Sequence, residues 1–294
     1  MPNRPLVSVI MNCYNGEKFL KEAIDSVLSQ TYSNWELIFW DNQSVDDSAS
    51  IVNSYGDIRL RYFYAENHTE LGEARNLALK KARGEWVGFL DVDDIWFPEK
   101  LEKNLEEVNT SAPSADLIYS RCEFFSNKPE SDNKIKVIGT YPKARELPTS
   151  NLYNLLFFGN MLPFPSVLYR RKSIEKIGGI PNYRFCPDYF LAMSLSREGH
   201  IVAIDKTLCR YRCSDSSMTA RFATVGWQEC VDINKDFSIL DGDENKSHST
   251  RAAYTLRCLL NGSYSEVLAS IKEIGFFGFL IGLSKFIIVR VRYF

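Results

Sequence analysis

The chain has 294 residues, a formal net charge of −2 and 45% hydrophobic residues. This length can bury one large core or two modest ones, and the near-neutral charge gives no general attraction to nucleic acid. The seven cysteines are odd in number and form no Cys-x-x-Cys pair, which argues against a structural zinc site and for a reducing compartment. The short apolar run after Met1 is a poor signal peptide. We therefore predict a cytoplasmic protein that does not bind nucleic acid.

The first 125 residues alternate between strand-like and helix-like patterns. Strands separated by helices of ordinary length indicate an α/β fold whose sheet is mainly parallel and covered on both faces. The predicted strands span residues 6–13, 35–41, 60–64, 85–90 and 117–124, and the predicted helices span residues 17–29, 46–53, 71–82 and 98–108.

The second part of the chain begins after residues 126–148, which are polar and proline-rich and predict a surface excursion. The second part resumes at residues 151–158, and beyond them we predict strands at 166–170 and 201–204, a short helix that ends at Gly178 and Gly179, and a helix at 188–198. Residues 222–270 have a helical pattern.

Residues 274–294 are rich in Phe and Ile and also contain Lys285, Arg290 and Arg292. Because Lys285 interrupts the apolar run, the run is too short to span a membrane. Its composition favours a position in the membrane interface, on the inner face of the plasma membrane. The alternative is that this segment packs on the protein's own core or on a second subunit, so a homo-oligomer stays open.

Three carboxylates, Asp91, Asp93 and Asp94, follow the strand predicted at residues 85–90. Carboxylates this close repel one another unless a positive charge lies between them. A divalent cation that holds a phosphate solves this problem, because Mg²⁺ accepts one or two carboxylates and leaves positions for phosphate oxygens. The alternative is that Asp94 caps the helix beginning near Pro98, which accounts for one carboxylate only.

Polar residues follow three of the predicted strands, and the carboxyl ends of such strands form the usual ligand site of an α/β sheet. Tyr14 and Asn15 follow the first strand, Asp41 ends the second, and the aspartates follow the fourth. The loop after the first strand contains one glycine, Gly16, which disfavours a dinucleotide-binding or P-loop site. A phosphate at this edge would then be held by a cation.

An ordered series of motifs resembles family 2 glycosyltransferases with the GT-A fold. It comprises residues 8–15, 30–38, 41–46, 74–78, 84–94 and 163–171, then Gly178-Gly179, Asp188 and Tyr211-Arg212. The resemblance implies a Rossmann-like GT-A domain at residues 1–220, with a nucleotide-sugar half at 1–125 and an acceptor half at 150–220. A helical C-terminal extension would follow at residues 221–294.

The resemblance also implies a role for individual residues. Tyr14, with Asn15 beside it, matches the aromatic residue that lies against the nucleotide base, and Asp41 matches the acid that accepts a hydrogen bond from uracil. Arg75 would lie near the base and phosphates, Asp91 near the ribose and metal, and Asp93 on the metal, while Asp188 would be the general base. The structural alternatives are a core aromatic for Tyr14, a turn residue for Asp41, an ion-pair partner for Arg75 and a helix cap for Asp188.

Three positions depart from the family pattern. Asn42 stands where many relatives have a second acid, which removes a charge near the base. Pro187 replaces the acid that usually precedes the general base. Ser214 stands where many relatives have a histidine, so we do not expect this loop to bind the metal.

The resulting hypothesis is an inverting glycosyltransferase that depends on Mg²⁺ or Mn²⁺ and uses a nucleotide-sugar, with UDP as the favoured nucleotide. Its acceptor would be a glycan or a lipid-linked glycan in surface polysaccharide synthesis. A sugar nucleotidyltransferase is disfavoured because no glycine-rich basic loop follows the first strand. A catalytically degenerate GT-A protein that binds nucleotide or a partner stays open.

Overall fold

The computed structural model describes residues 4–127, 135–214, 217–218 and 223–260, and beyond them residues 272, 274, 278–280 and 282–285. Nine strands in these residues form one sheet. The strands are β1 (Val7–Cys13), β2 (Trp35–Asp41), β3 (Leu60–Tyr64), β4 (Trp86–Phe89), β5 (Ile95–Trp96), β6 (Leu117–Asn127), β7 (Ile135–Tyr141), β8 (Val167–Arg170) and β9 (Ile201–Arg212).

Helices connect most of these strands and extend the chain beyond β9. They are α1 (Glu17–Leu28), α2 (Ser48–Asn53), α3 (Leu71–Leu79), α4 (Lys100–Thr110), α5 (Leu152–Leu156), α6 (Arg171–Lys176), α7 (Pro187–Glu198), α8 (Ala223–Leu240) and α9 (His248–Leu260). Short 3₁₀ segments lie at Phe164–Ser166 and Glu244–Ser247.

The sheet is mixed and mainly parallel, as the sequence predicts. Its strand order is β3-β2-β1-β4-β8-β6-β9-β5, with β7 paired to β6. Strands β1, β2, β3, β4, β6 and β9 run in one direction, whereas β5, β7 and β8 run against them. The parallel strands deliver their carboxyl ends to one edge, where ligand sites of such sheets lie.

Two apolar cores lie on opposite faces of the sheet because successive side chains of a strand point to opposite sides. In β1, Val9 belongs to the core beneath α1 and α4, and Ile10 to the core beneath α3, α5 and α7. Helix α1 buries Leu20, Ile24 and Val27, the spacing of one helical face. The sheet is therefore covered on both faces.

The predicted surface excursion at residues 126–148 is wrong in part. Strand β6 continues to Asn127, and β7 pairs with it antiparallel, with a register shift at Phe124 and Phe125. The shift breaks the alternation of side chains, and the consecutive residues Lys136, Val137 and Ile138 are exposed, so the sequence pattern resembles a loop. Strand β9 is also longer than predicted, because it continues through the charged residues Asp205 and Lys206.

The helical C-terminal region agrees with α8 and α9, and α8 contributes Ile233 and Phe237 to the core shared with α7. Residues 261–270 and most of the predicted interfacial segment 274–294 lie outside the described residues. Among the helices that are described, none combines the length and apolar character needed to cross a membrane.

Candidate active site

The carboxyl ends of β1, β2 and β4 lie side by side and place the predicted residues along one edge. Asp41 ends β2 and pairs in register with Cys13, the last residue of β1. Tyr14 follows Cys13 directly, and Asp91 follows β4 by two positions. The parallel pairing of these strands thus creates the edge that the sequence predicts.

Asn15 fixes the loop after β1 to the loop after β2. Its φ of 55° lies in the left-handed region, which Asn tolerates better than most residues. Its Oδ1 accepts the backbone N–H of Val45 at 2.9 Å, and its own N–H donates to Ser44 Oγ at 3.0 Å. These contacts shape the rim beside Tyr14, and a direct role of Asn15 toward a nucleotide stays a prediction.

Asp41 is fully buried, and both of its carboxylate oxygens have partners. Oδ1 accepts the backbone N–H of Ser44 and Oδ2 accepts the Tyr62 hydroxyl, each at 2.7 Å. Burial and the Asp41 charge raise the pKa of Tyr62. A carboxylate oxygen can accept a second hydrogen bond, so the predicted role at the base stays a prediction.

Tyr14 and His68 form an aromatic pair at the exposed rim. Tyr14 is 56% exposed, and its ring centroid lies 4.4 Å from that of His68. Asn42 holds His68 in place. Its backbone carbonyl oxygen accepts a hydrogen bond from His68 Nδ1 at 2.8 Å, and its side-chain Nδ2 donates to the Thr69 carbonyl at 2.8 Å. No sequence motif pointed to His68, since its pairing depends on two loops distant in the chain.

Arg75 lies on α3 and is 4% exposed. Its Nη2 donates to Asp91 Oδ1 at 2.8 Å, and its guanidinium carbon lies 4.1 Å from the ring centroid of Phe164. The stacking on Phe164 leaves the guanidinium plane fixed beside Asp91. The ion-pair alternative for Arg75 is therefore realised, and its partner is itself a predicted site residue.

Asp188 lies in the first turn of α7, which begins at Pro187 and has no side-chain capping hydrogen bond. Its Oδ2 accepts a hydrogen bond from Asn160 Nδ2 at 2.9 Å. Burial raises the pKa of Asp188, the Arg75 charge acts against that increase, and the Asp91 charge adds to it. Arg75 is thus close enough to influence both carboxylates, and the structure brings Arg75, Asp91 and Asp188 together.

Asp93 and Asp94 lie in an acidic, buried environment. Burial and the charge of Asp91 raise the pKa of Asp93 to about 6. Asp94 Oδ1 accepts the backbone N–H of Arg212 at 2.9 Å, while its buried Oδ2 has no hydrogen-bond partner. Helix α4 begins at Lys100 with Glu99 as its N-cap, so the alternative that Asp94 caps this helix is wrong.

Arg212 holds the backbone of residues 91–94 in place. Its Nε donates to the Asp93 carbonyl at 2.8 Å, and its Nη2 donates to Glu22 Oε2 at 2.5 Å. Its guanidinium carbon lies 4.1 Å and 4.4 Å from the ring centroids of Phe19 and Phe125. The Arg212 side chain is 2% exposed, and its hydrogen bond to the Asp93 carbonyl fixes the backbone at Asp93.

The residues at this edge fit Mg²⁺ or Mn²⁺. Within the described ranges, no three His, Cys, Asp or Glu side chains form a ready-made metal site. Asp91 and Asp93 nevertheless offer the hard oxygen ligands that these ions prefer, and such ions commonly take one or two carboxylates plus phosphate oxygens. The Oδ2 of Asp94 is buried without a hydrogen-bond partner in the same segment, and burial raises the pKa of this carboxyl group. That the loop at Ser214 does not bind the metal stays a prediction.

Comparison with known proteins identifies the family. The family model described as "Glycosyl transferase family 2" matches residues 8–178. A putative teichuronic acid biosynthesis glycosyltransferase, TuaG of Bacillus subtilis, is 42% identical over 224 residues, which is 74% of this chain and 82% of that protein. The chain therefore belongs to glycosyltransferase family 2.

Other relatives extend the comparison. An uncharacterized glycosyltransferase of Rickettsia typhi is 32% identical over 73% of this chain, and the match spans 66% of its own length. The Escherichia coli protein WfgD, a UDP-Glc:alpha-D-GlcNAc-diphosphoundecaprenol beta-1,3-glucosyltransferase, is 28% identical over 87% of this chain and 93% of that protein.

Solved structures support the fold. S. aureus TarS in complex with UDP-GlcNAc superposes with a TM-score of 0.65 at 20% identity, covering 96% of this chain and 81% of that one. The mannosyltransferase PcManGT of Pyrobaculum calidifontis, in complex with GDP-Man and Mn²⁺, gives 0.61 at 17% identity, covering 95% of this chain and 86% of that one. These likenesses confirm the predicted GT-A fold.

Proposed function

We propose that this protein is an inverting, metal-dependent glycosyltransferase that moves a sugar from a nucleoside-diphospho-sugar, with UDP as the nucleotide. The observation that carries the proposal is the position of Arg75. It pairs with Asp91 at 2.8 Å, beside Asp93, and its charge also acts on Asp188. The buried Arg75 guanidinium thus carries a positive charge that acts on both the proposed donor site and the candidate base.

The proposed reaction needs a base on the acceptor side. The acceptor hydroxyl attacks the anomeric carbon, the bond from that carbon to the diphosphate oxygen breaks, and the nucleoside diphosphate leaves with the bonding electrons. The hydroxyl proton passes to the Asp188 carboxylate, whose raised pKa brings it closer to the operating pH of an efficient base. Attack opposite the leaving group inverts the anomeric carbon through a cation-like transition state.

The leaving diphosphate needs positive charge around it. Asp93 and Asp91 would hold Mg²⁺ or Mn²⁺, which when bound would offset the negative charge that develops on the diphosphate. Arg75 contributes fixed positive charge at the same edge, oriented by Phe164. Arg212 keeps the backbone of Asp93 in position through its hydrogen bond to the Asp93 carbonyl.

The relatives guide the choice of donor and acceptor. Complexes of TarS contain UDP-GlcNAc or UDP, and WfgD is named for transfer from UDP-Glc to a lipid-linked sugar, alpha-D-GlcNAc-diphosphoundecaprenol. We extend this to a glycan or lipid-linked acceptor in surface polysaccharide synthesis. The acceptor half at residues 150–220, the C-terminal region at 221–294 and membrane contact through residues 274–294 belong to the same proposal.

The test is a donor panel. The purified chain is incubated with UDP-, GDP- and dTDP-sugars and a lipid-linked glycan acceptor, with and without Mn²⁺, and both the released nucleoside diphosphate and nucleotide-induced thermal stabilisation are measured. We expect metal-dependent release with a UDP-sugar and inversion of the anomeric centre in the product. Stabilisation by nucleotide without release from any donor would instead support the degenerate, binding-only alternative.

A further inference from the structure

The carboxylate of Glu229, on α8, accepts hydrogen bonds from three consecutive backbone N–H groups. The N–H of Arg184 donates to Oε1 at 2.9 Å, and those of Phe185 and Cys186 donate to Oε2 at 2.8 Å and 2.6 Å. Hydrogen bonds to a charged acceptor are stronger than those between neutral groups. A single side chain therefore fixes three successive peptide units.

These three peptide units lead directly into α7, which begins at Pro187 and places Asp188 in its first turn. Backbone N–H groups at a helix start have no partner inside the helix, and the positive end of the helix dipole favours a carboxylate there. The side chain of Cys186, the N-cap residue, makes no capping hydrogen bond. Glu229 instead accepts the N–H groups of Cys186 and of the two residues before it, so it fixes the segment that leads into α7.

The same loop is held from its other side by α3. The N–H of Gly72 donates to the Tyr183 carbonyl at 3.1 Å. A Cβ at Gly72 would lie 2.2 Å from the Pro181 carbonyl oxygen, so the two backbones approach too closely for any side chain. Residues 181–186 are thus clamped between α3, which bears Arg75, and α8.

Helix α8 packs against α7. The Tyr189 hydroxyl donates to Asn234 Oδ1 at 2.8 Å, and Arg197 Nε donates to Asp241 Oδ1 at 2.9 Å. Phe237 is 6% exposed, and its ring centroid lies 5.8 Å from that of Phe190. Because Asn234 and Phe237 of α8 and Asp241 just beyond it contact α7, Glu229 lies on a helix that is fixed to α7.

We infer that Glu229 is a positioning residue for Asp188, so that α8, which lies beyond the residues matched by the family model, completes the site. This inference rests on the proposed function, because it assigns Glu229 a role toward the proposed base. Glu229 contacts backbone and not the reacting atoms. Its contribution is to hold α7 at the distance that proton transfer from an acceptor requires, and a displacement of about 1 Å can cost roughly 100-fold in rate.

The test compares Glu229→Ala and Glu229→Gln with Asp236→Ala, an exposed acid on the same helix. We expect Glu229→Ala to lower kcat by about 10- to 100-fold while the donor KM and nucleotide-induced stabilisation change less than about twofold. Glu229→Gln should recover much of kcat, since its amide oxygen still accepts N–H groups. Asp236→Ala should behave as the wild type.

A second measurement reports the geometry without turnover. Hydrogen exchange on the full chain should become faster at residues 184–190 in Glu229→Ala and stay unchanged in β1, β2 and β4. Wild-type turnover with an unaltered kcat in Glu229→Ala, or unaltered exchange at residues 184–190, would overturn the positioning role alone. A wild type that releases nucleoside diphosphate from no donor would overturn the proposed function instead.

Discussion

Arg75 donates to Asp91 at 2.8 Å from a position that is 4% exposed, and the charge of the same guanidinium opposes the increase in the Asp188 pKa that burial causes. The two carboxylates come from different parts of the chain, one after β4 and one on α7. The buried Arg75 guanidinium on α3 therefore places one positive charge near both carboxylates. This arrangement links the proposed donor side with the proposed acceptor side.

Replacement of Arg75 by Met should shift the pH dependence of transfer. The base works when it is deprotonated, and Arg75 opposes the increase in the Asp188 pKa that burial causes. Without the positive charge the pKa rises further, so activity should fall more at pH 6 than at pH 8. A pH–rate profile of kcat measures the shift of the acidic limb. A uniform loss at all pH values would contradict this electrostatic role.

Replacement of Asp188 by Asn should remove the proposed base. We expect kcat to fall by about 100- to 10,000-fold, the range typical of a lost general base. The variant should still be stabilised by nucleotide, because Asp188 lies on α7 and not at the donor edge formed by β1, β2 and β4. Asp232→Asn, an exposed acid on α8, is the matched control. Near-wild-type turnover in Asp188→Asn would eliminate the residue as the base.

Restoring an acid at position 42 should destabilise the protein. Asn42 Nδ2 donates to the Thr69 carbonyl at 2.8 Å, and a carboxylate would replace this donor with a charge that faces the carbonyl oxygen. Loss of a buried donor costs about 1–3 kcal/mol. Chemical denaturation of Asn42→Asp measures the cost, with the exposed Asn53→Asp as control. Equal stability of both variants would show that the Thr69 contact contributes little.

Lys100 should give a pH-dependent stability effect. Its buried Nζ donates to the Ser166 carbonyl at 2.9 Å, and burial lowers its pKa from 10.5 to about 8, with the Cys209 and Cys122 thiols acting in the opposite direction. The folded state therefore binds the proton less tightly than the unfolded state. The resulting penalty is fully present below about pH 8 and is relieved as the pH rises toward 10.5.

Replacement of Lys100 by Met removes this penalty. We expect the free energy of unfolding to increase by about 2 kcal/mol at pH 7, after allowance for the lost hydrogen bond to Ser166. The gain should shrink as the pH rises toward 10. Denaturant unfolding of both proteins across this range provides the measurement. A gain that is the same at pH 7 and at pH 10 would show that burial of the charge is not its source.

The sequence predicts the sheet edge well because its signals are local. The apolar run at residues 35–41 matches β2 at both ends, and Asp41, Tyr14 and Asp91 follow from the strand ends alone. Strand β7 is missed because β6 and β7 pair through a register shift that obscures the alternating pattern.

The contacts between distant segments could not be predicted in the same way. The partners of Arg75 depend on how α3 packs against the loop after β4, and the hydrophobic pattern of the sequence does not determine that packing. The bonds from residues 184–186 to Glu229 involve backbone N–H groups, which every residue except proline carries and which leave no sequence signal. Asn160 beside Asp188 and His68 beside Tyr14 likewise emerge only from tertiary packing.

The most direct test of the central claim is the affinity for UDP, measured by calorimetry with and without Mn²⁺, for the wild type and for Asp93→Asn. If Asp91 and Asp93 hold a cation that bridges to a diphosphate, the wild type should bind UDP at least about 10-fold more tightly with Mn²⁺, and Asp93→Asn should lose this gain. UDP binding that is equally tight without metal, or an Asp93→Asn variant that keeps the full metal dependence, would contradict the account.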